Sequence, residues 1–154
     1  MEVILALKGS PLFRDVPGEG LKRLSDFIQE KTVSPGEVIF NEQDLGDEMY
    51  FVHRGSIIVQ KEIGGEKVVV ETVDSGGHFG EWAIIDDKPR AASAIADAEA
   101  NLLVLHKNDF RSAVQDYPDI AFEVFRELTT RLRDIDQRYR ELAAEARRLG
   151  LETR

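Results

Sequence analysis

Between Phe79 and Ala92 the chain reads Phe-Gly-Glu-Trp-Ala-Ile-Ile-Asp-Asp-Lys-Pro-Arg-Ala-Ala. This run holds the residue types that grip an anionic sugar phosphate. Gly80 opens what the local pattern predicts as a single helical turn, and the free N–H groups and partial positive charge of a helix N-terminus suit a phosphate. Glycine at that point lets the backbone approach a ligand closely. Arg90 can add a forked, charge-assisted contact to phosphate oxygens, while the small Ala91 and Ala92 leave their N–H groups accessible. Glu81 next to an arginine and a phosphate would be repelled unless it had other work. Its carboxylate only accepts hydrogen bonds, so a ribose hydroxyl is the partner that fits. Each residue also has a plainer reading. Arg90 could form a surface ion pair with Asp86 or Asp87, and Glu81 could merely favour the helix N-terminus.

Several other chemistries are excluded or disfavoured by composition. The chain has no cysteine, which removes disulfides, zinc-thiolate sites and thiol catalysis. His53, His78 and His106 lack any close paired spacing, so a histidine metal site is not expected. No Ser-His-Asp arrangement is apparent, and an enzyme is not the reading. The formal net charge of -9 argues against general electrostatic binding of nucleic acid. Residues 126–154 carry a local +2, which leaves -11 on everything before them. An anion must therefore be held by a small local set of donors. No stretch reaches the ~20 apolar residues of a membrane span, and the apolar opening run lacks a basic leader, so a cytoplasmic protein is expected.

The elements that must position this run divide into a short helical lead, a β-rich middle and a long helical tail. Gly9-Ser10-Pro11 reads as a turn docking Leu12 and Phe13, and Leu21, Leu24, Phe27 and Ile28 predict a helix over 20–31. Strands are expected over 37–40, 49–53, 56–61, 67–73, 92–95 and 101–105, separated by glycine-bearing turns such as Gly64-Gly65. Many short strands of this kind suggest a sandwich or small barrel rather than a βαβ fold. Lys107-Asn108-Asp109 can start a helix that Pro118 interrupts. Beyond it, Ala121, Phe125, Leu128, Leu132, Ile135, Tyr139, Leu142, Ala146 and Leu149 fall at alternating steps of four and three, a coiled-coil seam. The first turns should pack on the barrel. The rest of a helix spanning about 45 Å outruns a domain this small. With Arg131 at g and Asp136 at the following e position, the pattern favours a parallel homodimer.

The 79–92 run closely resembles the phosphate-binding cassette of the cyclic-nucleotide-binding domain family, in the form found in protein kinase A regulatory subunits and catabolite activator protein. Pro35-Gly36-Glu37-Val38-Ile39-Phe40, Gly46-Asp47-Glu48-Met49-Tyr50-Phe51-Val52 and Gly55 are also placed as in that family. The resemblance implies a mainly β fold with flanking helices. It would be a double-stranded β-helix (jelly-roll) barrel with short N-terminal helices and a long C-terminal one. A single domain over 1–154 is expected, with barrel and flanking helices at about 10–117 and the dimerising helix at about 118–150. The ligand implied is cyclic AMP, with cyclic GMP as the alternative. Threonine directly after the arginine supports guanine selectivity in the family, and here that residue is Ala91. By the same resemblance Arg90 pairs with the cyclic phosphate, Glu81 takes the ribose 2′-hydroxyl, and the Ala83 and Ala91 N–H groups help hold the phosphate. Gly80, Trp82 and Ala92 complete the ligand-binding set. Aligning the start of the last helix places Ile135 and Asp136 near the base, though Ile135 could equally serve the dimer seam and Asp136 could pair with Arg131. Two departures stand out: Gln43 occupies a position where the family often has glycine, and Trp82 replaces an aliphatic residue. No cofactor, direct nucleic-acid contact or membrane association is implied, and the effector is not specified. The alternative to a sensor is a degenerate, non-binding member acting as a dimerisation or scaffold domain.

Overall fold

The computed structural model describes residues 2–151. Two short helices, α1 (Glu2–Gly9) and α2 (Gly18–Phe27), precede eight strands: β1 (Gln29–Val33), β2 (Val38–Phe40), β3 (Glu48–Arg54), β4 (Ser56–Ile63), β5 (Glu66–Asp74), β6 (His78–Phe79), β7 (Ser93–Ala96) and β8 (Ala100–His106). A one-turn 3-10 helix (Glu81–Ile84) lies between β6 and β7, and α3 (Lys107–Asp116) and α4 (Asp119–Arg148) close the chain. The strands form two antiparallel four-stranded sheets, β1-β8-β3-β6 and β2-β7-β4-β5. This is the mainly β architecture with flanking helices that the sequence implied.

Period-two side-chain alternation explains how one sheet serves two cores. On β3 and β8, Tyr50, Val52, Leu102 and Val104 face the second sheet, where Ile57, Val73, Ala94 and Ala96 meet them. Met49, Phe51, Leu103 and Leu105 point the other way, onto Leu7, Leu12, Phe13, Leu21, Leu24, Phe110, Ile120 and Val124 of the helical layer. Both strands are thus covered on both faces, which is why they read as continuous apolar runs. The β4–β5 hairpin closes through Gly64 and Gly65, both at positive φ, as a two-residue primed turn requires.

The helix expected over 20–31 is corrected: α2 ends at Phe27 and residues 29–33 are strand. Ile28 takes an extended conformation at the helix C-cap, and Gln29–Val33 then pairs with Val104–Ala100 of β8. Apart from Val33 the side chains of β1 are exposed, so the strand exists through its ladder and carries almost no hydrophobic pattern of its own. The two-residue β6, buried at both positions, is too short to show a period; it pairs with Tyr50 and Phe51 and sets the direction in which the next residue, Gly80, leaves the sheet.

Pro118 separates the last two helices as expected, and α4 runs for 30 residues. Ile120 and Val124 are buried and Leu128 packs against the helical core. From Leu132 onward the apolar stripe of Leu132, Ile135, Tyr139, Leu142 and Leu149 is exposed.

Candidate functional site

A cavity of about 250 Å³ opens between the second sheet, the 3-10 turn and α4. Gly80, Glu81, Trp82, Ala83, Arg90, Ala91 and Ala92 all line it, together with Phe40, Phe79, Lys61, Lys88, Glu71 and Arg131. Four cations against two acids make it locally positive in a chain of net -9, the condition an anionic ligand needs.

Arg90 is anchored first through its backbone. Its N–H donates to Asp44 O at 2.8 Å and its carbonyl accepts from the Gln43 N–H at 2.8 Å, which clamps the cassette to the 41–47 loop. To make that bridge Gln43 adopts φ 74, the one positive φ at a non-glycine position among the described residues. A left-handed backbone is the physical reason glycine suits that position. The side chain then turns inward: Arg90 is only 7% exposed. Nη2 donates to Glu48 O at 2.8 Å and Nη1 to Gly80 O at 3.2 Å, and the guanidinium lies 4.0 Å from the Phe40 ring centre. These partners are neutral, and Nε is buried with none. Burial pulls the Arg90 pKa down, against the raising influence of Tyr50, Glu48, Asp47 and Asp44. The alternative of a surface pair with Asp86 or Asp87 does not occur, since Asp87 pairs with Lys107 and the Asp86 carbonyl accepts from the same ammonium. The guanidinium is thus held by carbonyls and aromatic faces, with no carboxylate hydrogen-bonded to it among the described residues.

Two glycines shape this position. A Cβ on Gly46 would lie 2.5 Å from Arg90 Nε, and one on Gly80 would lie 2.9 Å from Nη1. Gly80 also sits at φ 74, where side chains are strained. Gly46, read from the sequence as a turn residue, is therefore part of the wall against which the guanidinium is packed.

Glu81 begins the 3-10 turn and is 7% exposed. Its Oε1 accepts from Arg131 Nη1 at 2.9 Å, and Arg131 Nη2 is 3.0 Å from His78 Nε2. Burial raises the Glu81 carboxyl above its ordinary range, and Arg131 works against that rise. Burial likewise lowers His78 to about 3, with Arg131 reinforcing the effect. Burial and Arg131 both favour the neutral imidazole, while for Glu81 the two act in opposite directions.

The placements differ from expectation at three points. The Ala83 N–H, expected to face phosphate, donates to Gly80 O at 3.2 Å and closes the 3-10 turn. Ile135 and Asp136 do not line the cavity; Ile135 is 63% exposed and Asp136 pairs with Arg140 at 2.9 Å. They lie on the part of α4 that has left the barrel. The residue of α4 that reaches the cavity is Arg131, one turn earlier, and the sequence reading assigned it to a pair with Asp136. Its spacing nonetheless carries a signal: Arg131 follows Val124 by seven residues and Leu128 by three, on the side of the helix that packs against the barrel. Trp82, the only tryptophan, is 61% exposed on the cavity rim.

Residues 30–117 match the model of the cyclic nucleotide-binding domain family. The cyclic AMP receptor protein of Thermus thermophilus is 30% identical over 131 residues, which cover 84% of this chain and 61% of that protein. A cAMP-dependent protein kinase regulatory subunit from Yarrowia lipolytica is 33% identical over 105 residues, covering 68% of this chain and 28% of that one. In three dimensions the Thermus thermophilus catabolite activator protein superposes with a TM-score of 0.79 at 29% identity, over 87% of this chain and 63% of that structure. The chain belongs to the cyclic-nucleotide-binding domain family, and it spans about 60% or less of the length of these two relatives.

Proposed function

We infer that this chain is a cyclic-nucleotide sensor module whose ligand is cyclic AMP. The carrying observation is the buried Arg90 guanidinium, with no carboxylate hydrogen-bonded to it among the described residues, in the same cavity as the buried Glu81 side chain. Arg90 takes the cyclic phosphate, helped by the Ala91 and Ala92 amides. Glu81 takes the ribose 2′-hydroxyl: Arg131 engages Oε1, and a carboxylate has a second oxygen to offer. A cyclic nucleotide carries one negative charge, so a single guanidinium suffices. Ala91 after the arginine favours adenine over guanine, by the resemblance noted above. A bound relative, the regulatory domain of Toxoplasma gondii PKA, was crystallised with cAMP and is 30% identical with a TM-score of 0.70.

The output follows from α4. Its proximal turns touch the barrel and the site, and its distal stripe is uncovered. Two chains pairing in parallel through that stripe would bring each site under a shared helical element. Ligand shifts the arrangement only in so far as it binds one arrangement better than the other. The fluorescence of Trp82, on the cavity rim, gives a direct assay. Titration with cyclic AMP should give a saturable change and a calorimetric heat, with cyclic GMP weaker and 5′-AMP, which lacks the ring, weaker still. Silence with both cyclic nucleotides would refute the reading.

A further inference from the structure

His78 has no part in the reading above, and its chemistry is costly for a group that only fills space. The imidazole is 1% exposed, on β6 and beside the Phe51 ring. Its Nε2 is 3.0 Å from Arg131 Nη2. A guanidinium nitrogen only donates, so Nε2 must accept, and the ring proton is thereby fixed on Nδ1. Nδ1 is buried with no hydrogen-bond partner among the described residues. A phenylalanine would fill the same place without an orphaned N–H. What the histidine adds is an acceptor aimed at Arg131, whose other terminal nitrogen holds Glu81. His78 itself is 4.0 Å from Glu81 Oε1, too far for a hydrogen bond of its own.

We propose that His78 is a positioning residue: its neutral ring fixes Arg131, and Arg131 in turn holds Glu81 aimed at the ligand's 2′-hydroxyl, so that recognition of the ribose is tied to α4. The proposal rests on the assignment of Glu81 to the ribose. One guanidinium serves both neighbours in the same sense, since its charge favours the anionic carboxylate and disfavours a protonated imidazole. Glu127 of the same helix also pairs with Arg131, through Nε at 3.6 Å, so it holds the guanidinium near α4 but does not aim its terminal nitrogens. Without the ring one of those nitrogens is vacant, and the grip on buried Glu81 loosens.

The discriminating experiment compares cyclic AMP with 2′-deoxy cyclic AMP by calorimetry on the full chain, for the unaltered protein and for His78→Phe and His78→Gln. His78→Phe should lose about tenfold in affinity for cyclic AMP and less than about twofold for the deoxy analogue, as loss of a charge-assisted contact to one hydroxyl would give. His78→Gln, which restores an acceptor, should recover most of the loss. Equal losses with both ligands, or none with either, would overturn the proposal. If His78→Phe does not fold, Arg131→Met with the same two ligands takes its place, and again the loss must be confined to the ribose ligand. Nitrogen-15 NMR of the His78 ring is a readout independent of ligand: the Nδ1–H tautomer is expected, and an Nε2–H tautomer would break the contact with Arg131. A protein that binds no cyclic nucleotide yet shows the Nδ1–H tautomer would refute the sensor function and the ribose role, leaving only the contact. Binding without a 2′-hydroxyl-specific loss would refute the positioning role alone.

Discussion

At the scale of single residues, the site is made as much by what is missing as by what is present. Gly46 has no Cβ, and the space is taken by the Arg90 guanidinium, 44 positions along the chain. Gly46→Ala should push the guanidinium off Glu48 O and weaken cyclic AMP binding by at least about tenfold, on the scale of a disturbed charge-assisted contact. A titration checks this, and an alanine variant that binds as the unaltered chain does would show that the wall is not needed. The sequence made the cassette residues legible because glycine, acid, arginine and small residues recur there at a fixed spacing. It did not make Gly46 legible as a wall, since a turn glycine looks the same whatever packs on it. Arg131 sits on the packed side of the helix, in register with Val124 and Leu128, but an arginine declares its partner only once the helix is docked.

At the scale of elements, hydrophobic period was informative where burial is one-sided and uninformative where hydrogen bonding alone makes the element. The alternating three-and-four spacing gave α4 its length and its exposed stripe. The helical period of the 20–31 segment stops at Ile28, and Gln29–Val33 is strand because the edge of β8 offers it a ladder. The exposed stripe makes a prediction of its own. Leu132 and Tyr139 lie a heptad apart and both are exposed in one chain. If they form a seam between two chains, the double change Leu132→Glu and Tyr139→Glu should convert a dimer to a monomer in light scattering, with little effect on the fold of the barrel. Burying two acids in a coiled-coil core costs several kcal/mol, on the order of the stability of a short dimer. An unaltered mass would place the partner surface elsewhere.

At the scale of the molecule, an acidic chain with a positive cavity is consistent with a small anionic ligand. No described helix is long and apolar enough to cross a membrane. The fold class was legible because turn glycines and short β-branched runs recur along the middle of the chain, and because the cassette sits between two of those strands. What the chain acts upon is not written in a ligand-binding unit, whose residues answer to the ligand. The central claim is that one buried guanidinium carries recognition of a cyclised monophosphate, and calorimetry of Arg90→Ala and Arg90→Lys against the unaltered chain tests it most directly. Removing a buried charge partner costs on the order of 2–5 kcal/mol. Both variants should therefore lose at least about tenfold in affinity for cyclic AMP while their far-UV circular dichroism stays that of the parent. A folded alanine variant that binds cyclic AMP with the parent's affinity would contradict the account.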